Sequence, residues 1–132
     1  MKHWLCAFVL SSAASQVMAA TEPLIVASAA GHIALSFFDI ADIAVSESGG
    51  ITEIFVTLMP GADRQLGALA LSEGERLSAQ ICGLHFESAP IRLPLTGHLY
   101  LVQTTMMRGW ALQALWQGVA NCETLSPAVF LD

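Results

Sequence analysis

Between Arg76 and Pro90 apolar and polar side chains alternate with period two, and the alternation shifts phase by one residue across Cys82-Gly83. A two-residue turn there faces Ile81 with Leu84, Ala79 with Phe86 and Leu77 with Ser88. The opposite face then collects Gln80 with His85 and Ser78 with Glu87. A slip of one residue would mix the two sets, so the pattern specifies a β-hairpin with one apolar face. Upstream, Ile54, Val56 and Leu58 alternate with Glu53, Phe55 and Thr57, which predicts a strand over Ile51–Leu58 whose second face, carrying Phe55, is not fully wet. Ile33, Leu35 and Phe37 alternate with His32, Ala34 and Ser36 and predict a half-buried strand. Leu24-Ile25-Val26 suits either a short strand or a tether. Asp39 and Asp42 bracket a turn, or one helical turn, ahead of Ile43-Ala44-Val45, and Ser46–Gly50 reads as a loop.

Helical spacing appears twice. Pro60 suits a first helical turn with Asp63 near its positive end, and Ala62, Leu66, Leu69 and Ala70 share one side while Arg64 and Gln65 point away. Ser72–Glu75 then ends this helix and leads into the hairpin. Pro90 and Pro94 cannot donate to a ladder, which places Ile91–Leu95 at an edge or in a loop, and His98–Val102 is a further short strand. Thr104 or Thr105 caps a second helix that runs to about Gln117 and stops at Gly118. At about 100° per residue, Met107, Trp110, Ala111, Ala114 and Leu115 form its expected buried face. Leu112 and Trp116 are then surplus beside Arg108. These three residues make a candidate partner-binding patch of the kind enriched at interaction hot spots, with the alternative that the tail folds over them through Leu125, Val129 and Phe130. The order of elements predicts an α+β single domain, an antiparallel sheet with two helices packed on one face.

A length of 132 residues suits one domain with a core of its own. Residues 1–19 read as a secretory signal, with Lys2 and His3 as a basic start, Trp4–Leu10 as the apolar segment and small residues up to Ala19. Cleavage is expected after Ala19 or Ala20. Seven apolar residues fall well short of the roughly 20 that a spanning helix needs, and Cys6 lies inside that run rather than at its end, as a lipid anchor would require. The chain divides into this signal, an N-terminal strand segment over 20–50, a central unit over 51–120 and a tail over 121–132. Removal of the leader takes away the only lysine and leaves four arginines against eleven carboxylates, a net charge of −7. Such a surface excludes nucleic acid and anionic lipid as expected partners, because both reward dense positive charge.

Two cysteines then remain, Cys82 and Cys122, and an even pair in an oxidising compartment predicts a disulfide. It would close a loop of about 40 residues, which in the chain-entropy account contributes about 4 kcal/mol. A metal site is not expected: there is no Cys-x-x-Cys and no adjacent histidine cluster. Nor is any cofactor, since no phosphate-cradling glycine loop is present. No Gly-x-Ser-x-Gly elbow occurs, His85 is expected as a solvated cross-strand residue, and His32 and His98 stand singly at strand ends. Asp39 and Asp42 suit a solvated turn better than a catalytic carboxylate pair.

The run Ile54-Phe-Val-Thr-Leu58, the Pro60-Gly-Ala helix, the hairpin with Cys82-Gly83 at its tip, Ser88-Ala-Pro-Ile91, Thr96-Gly97 and the helix ending at Gly118 together resemble the head subdomain of the first periplasmic domain of SecD and SecDF, membrane proteins that assist polypeptide export. The resemblance spans about Ile51–Gly118, and its most specific part is the turn glycine followed seven residues later by Pro90. Cys82-Gly83 stands where that family commonly has aspartate-glycine, and Met106-Met107-Arg108 opens the last helix where acidic residues are usual. No transmembrane segments follow, so coupling to a proton gradient is not expected of this chain. The resemblance implies contact with unfolded or translocating polypeptide. The expected function is therefore an exported, non-enzymatic periplasmic binding module whose partner is a polypeptide or an envelope protein, and the alternative is a small periplasmic hydrolase with a site assembled from distant residues.

Overall fold

A computed structural model describes residues 22–131; the expected leader and its cleavage positions lie outside the described residues. Seven strands form one antiparallel sheet: β1 (Leu24–Ser28), β2 (Gly31–Leu35), β3 (Ile40–Ser48), β4 (Ile51–Leu58), β5 (Ser78–Ile81), β6 (Leu84–Ser88) and β7 (His98–Thr104). Their spatial order is β2-β1-β5-β6-β7-β4-β3. The hairpin register is the one its alternation demands, with Ile81 opposite Leu84, Ala79 opposite Phe86 and Gln80 opposite His85. Cys82 and Gly83 both take positive φ, 53° and 81°, as a two-residue hairpin turn matched to strand twist requires. Leu24-Ile25-Val26 is a strand, not a tether: β1 joins β5 to β2 and brings the first segment of the chain into the same sheet.

Helices α1 (Pro60–Gly67) and α2 (Met106–Gln117) lie on one side of this sheet. Helix α1 touches both β2, an edge strand, and β4, next to the other edge, so the sheet curls around the core. The core is filled by Leu24, Val26, Ile54, Val56, Leu66, Leu84, Leu99, Leu101 and Leu112 among others. Burial of this apolar surface is the main favourable contribution to folding. Ile91, in the proline-rich connection, is buried without being in a strand.

The strand expected from His32 stops at Leu35, because the 3-10 turn Phe37–Asp39 takes in Phe37, and Asp42 falls inside β3 rather than at the end of that turn. Three further expectations change. The loop at Ser46–Gly50 shrinks to Gly49-Gly50, because Ser46, Glu47 and Ser48 pair with Glu53, Thr52 and Ile51 and both glycines supply the positive φ of a tight turn. Ala70 is exposed, because α1 ends at Gly67 and the chain has left the helix before reaching it.

The third change concerns α2, whose seated face is set by Gly109, Ala111, Leu112 and Leu115. The expected face is largely the wrong one: Met107 is 47% and Trp110 58% exposed, whereas Leu112 is 0% exposed. The helix is apolar on nearly all sides, so its own periodicity does not select a face. Gly109 selects it. A Cβ at that position would stand 2.8 Å from Val45 Cγ1 and 3.6 Å from Ile54 Cγ1, so the backbone of α2 at Gly109 lies directly against the Val45 and Ile54 side chains of β3 and β4. Thr105 caps the helix through its hydroxyl, which accepts from the Arg108 amide at 3.2 Å, and Gly118 ends it at φ 79°.

Glu75 ties two turns together. Its carboxylate accepts from the amides of Ser72 at 2.7 Å and Ala29 at 3.1 Å, and these bonds, Ser72 first, hold its pKa below the ordinary glutamate value. A depressed folded-state pKa stabilises the fold above the unfolded value and loses that contribution as pH falls through the folded one. Glu75→Gln is thus expected to lower the melting temperature at neutral pH, with the deficit shrinking on acidification. Thermal melts of both proteins from pH 7 to 3 check this; a deficit that stays constant over that range contradicts it.

Candidate functional site

Trp116 and Gln113 reach from α2 over the free edge of the sheet. The Trp116 Nε1 donates to the Ile40 carbonyl at 3.3 Å and the Gln113 Nε2 to the Ile43 carbonyl at 2.8 Å. Strand β3 pairs only with β4, so these bonds occupy backbone acceptors that an edge strand would otherwise offer to another chain. Trp116 is consequently half-buried and fixed in orientation rather than surplus.

On the other side of Trp116 an open groove of about 700 Å³ runs along the C-terminal end of α2. Four chain segments build it. The turn between β2 and β3 contributes Ser36, Phe37 and Phe38; the hairpin tip contributes Ile81 and Cys82; α2 and its cap contribute Leu115–Gly118; and Val119–Cys122 with Thr124 close the far side, with Glu22 at the rim. Asp39 shapes the first segment, its carboxylate accepting from the Ser36 amide at 2.9 Å, which closes a single 3-10 turn and pushes the Phe38 side chain into solvent. Phe38 is 92% and Val119 75% exposed. Both line the groove, so exposed apolar surface and concavity coincide there, and it is such a contiguous patch rather than a single exposed side chain that marks an interaction site.

The disulfide predicted between Cys82 and Cys122 is present, with 5.3 Å between the Cα atoms, and it fastens the hairpin tip to the segment after α2. It thereby holds two walls of the groove at a set separation. Glu22 Oε1 accepts from the Cys82 amide at 3.2 Å, and Oε2 lies 3.1 Å from Cys122 Sγ. That second contact is not a hydrogen bond, since a disulfide sulfur has no proton. Glu22, Cys82 and Cys122 do bring one carboxylate oxygen and two sulfurs within 4.8 Å of one another. With the sulfurs bonded to each other neither is a thiolate, and the trio offers a metal no soft ligand.

No family model, curated protein or solved structure matches this chain.

The candidate patch of Leu112, Trp116 and Arg108 is divided by the fold. Leu112 is fully buried under the sheet and meets no partner; Trp116 lines the groove; Arg108 turns the other way, its Nε donating to the Val129 carbonyl at 2.8 Å. Through that bond and the buried Val129, the tail returns along α2 to its first turn, ending in the 3-10 turn Pro127–Phe130. Phe130 packs beside Gly83, where a Cβ would meet its ring at 3.5 Å. The tail thus covers the Arg108 flank and leaves the groove open.

The remaining polar candidates are scattered. His85 and Gln80 face each other on the helix-free side, both exposed, while His32 and His98 sit on β2 and β7 with three strands between them. Asp39 is engaged with Ser36, and Asp42 lies exposed at the β3 bulge, so the two carboxylates do not act as a pair. On the helix-free face Phe55 and Tyr100 stack with ring centroids 4.8 Å apart, and the Tyr100 hydroxyl donates to Glu53. That bond pushes the Tyr100 pKa up, which keeps the phenol a proton donor. The sequence pattern does not single out Phe38 or Val119, because one sits in a turn and the other follows the helix stop, where periodicity carries no information.

Proposed function

We propose that this chain is an exported, non-enzymatic binding module of the periplasm that holds an apolar segment of another polypeptide in the groove beside Trp116. One observation carries the reading: an apolar groove of about 700 Å³, within the size range of ligand sites, is flanked by two largely exposed apolar side chains, Phe38 and Val119, on a cross-linked frame. The frame consists of the disulfide, the Trp116 bond to β3 and the capped end of α2. The disulfide is consistent with an oxidising compartment, and among the described residues no helix is long and apolar enough to cross a membrane. The resemblance of Ile51–Gly118 to the SecD head supports polypeptide in an extended, unfolded state as the ligand class. An envelope protein presenting such a segment is the corresponding cellular partner.

Peptide binding to the oxidised protein tests the reading. A labelled ten-residue peptide with an apolar centre is expected to bind saturably, as followed by fluorescence anisotropy. The double substitution Phe38→Ser and Val119→Ser is expected to weaken it about tenfold or more, since hot-spot truncations cost upwards of 1 kcal/mol each, while leaving the melting temperature nearly unchanged because both side chains are exposed. Absence of saturable binding, or binding indifferent to the double substitution, would sink the proposal.

A further inference from the structure

The groove has a sign as well as a shape. Helix α2 ends in it, and the carbonyl end of a helix carries about half a negative charge. Its cap uses the carbonyls of Ala114 and Leu115, which accept from the amides of Gly118, Val119 and Ala120. The carbonyls of Trp116 and Gln117 are the two of the last turn that this cap leaves over, and both residues line the groove. No basic side chain offsets them: the last turn of α2 contains none, and no Arg, Lys or His is among the described residues that line the groove. Glu22 adds a full carboxylate at the rim, held toward the hairpin tip by the Cys82 amide. Around them the exported chain carries four arginines against eleven carboxylates.

We infer that the groove selects apolar polypeptide segments that carry a positive charge next to the apolar residues, a lysine, an arginine or a free amino terminus. This deepens the proposed function and rests on it: the apolar residues enter between Phe38, Trp116 and Val119, and the adjacent cation lies against the Trp116 and Gln117 carbonyls and the Glu22 carboxylate. An anionic flank meets the same groups as repulsion, so the site discriminates by rejection as well as by attraction. Glu22 and Gln117 are exposed, so this selection acts through solvent-screened charges and weakens with salt.

Three peptides with the same apolar centre, flanked on one side by two lysines, two serines or two glutamates, separate this inference from the reading beneath it. Binding to the oxidised protein is measured by fluorescence anisotropy at low and at physiological salt. The lysine peptide is expected to bind about three- to tenfold more tightly than the serine peptide and the glutamate peptide more weakly than either, differences that narrow with added salt. Glu22→Gln is expected to reduce the lysine-to-serine ratio by about half or more while the serine peptide binds as before. Equal binding of all three peptides, still weakened by Phe38→Ser with Val119→Ser, overturns charge selection and leaves the apolar groove standing. Failure of all three to bind overturns both. A lysine preference that survives the Phe38 and Val119 substitutions in full comes from the acidic surface elsewhere, and it too overturns the inference.

Discussion

Leu112→Ala is expected to lower the unfolding free energy by about 2 to 5 kcal/mol, the cost of emptying a fully buried leucine site, while Trp110→Ala on the same helix changes it little. Periodicity alone assigns Trp110 to the interior and Leu112 to the surface, and the tertiary structure reverses both. Leu112 lies on the seated face, where α2 packs on β3 and β4 with Gly109 close against the Val45 and Ile54 side chains, so the vacancy could be filled only by shifting a helix already held close to the sheet. Urea denaturation of the two variants checks it. A large loss for Trp110→Ala together with a small one for Leu112→Ala would mean that α2 sits on the other face.

Removing the disulfide has the second large effect. Cys82→Ser is expected to cost about 2 to 5 kcal/mol, because the bond closes a loop with a sequence separation of 40 that contains β6, β7 and α2. Thiol labelling should find Cys122 reactive in this variant and no reactive thiol in the oxidised parent. The effect reaches beyond stability: Cys82 and Cys122 belong to facing walls of the groove, so peptide affinity is expected to fall even under conditions where the variant remains folded. Buried Val129 and the Arg108 bond still hold the tail in the variant, and Phe130 still packs on Gly83, so the loss should be local to the groove rather than a release of the whole C-terminal segment. An unchanged melting temperature and unchanged peptide affinity in Cys82→Ser would remove the disulfide from the account of the site.

Much of the sheet is legible in the amino-acid sequence, and for a definite reason. In the central hairpin each side chain's face is set by parity, so Leu77, Ala79, Ile81, Leu84 and Phe86 could occupy the core only in the observed register. The same parity places Ile54, Val56 and Leu58 inside and Phe55 outside, beside Tyr100. Three of the four helix ends are legible because Thr105, Pro60 and Gly118 satisfy local backbone requirements that need no tertiary partner, whereas the stop of α1 at Gly67 carries no such signal. The cysteine pairing follows from there being two of them after the expected leader, and the fold brings their Cα atoms to 5.3 Å.

What only the tertiary structure decided is which side of α2 faces inward and what the chain leaves uncovered. A helix apolar all round carries no preferred direction, and the choice fell to the one residue without a side chain, whose effect depends on Val45 and Ile54, far earlier in the sequence. The groove has the same origin. Phe38, Cys82, Trp116 and Val119 come from four separate segments, none of which carries a binding pattern alone, and their meeting depends on the curl of the sheet and the disulfide. Local alternation and capping are properties of neighbours in the chain, and sequence by itself determined those; docking of elements depends on contacts between residues far apart, and there the folded chain alone decided.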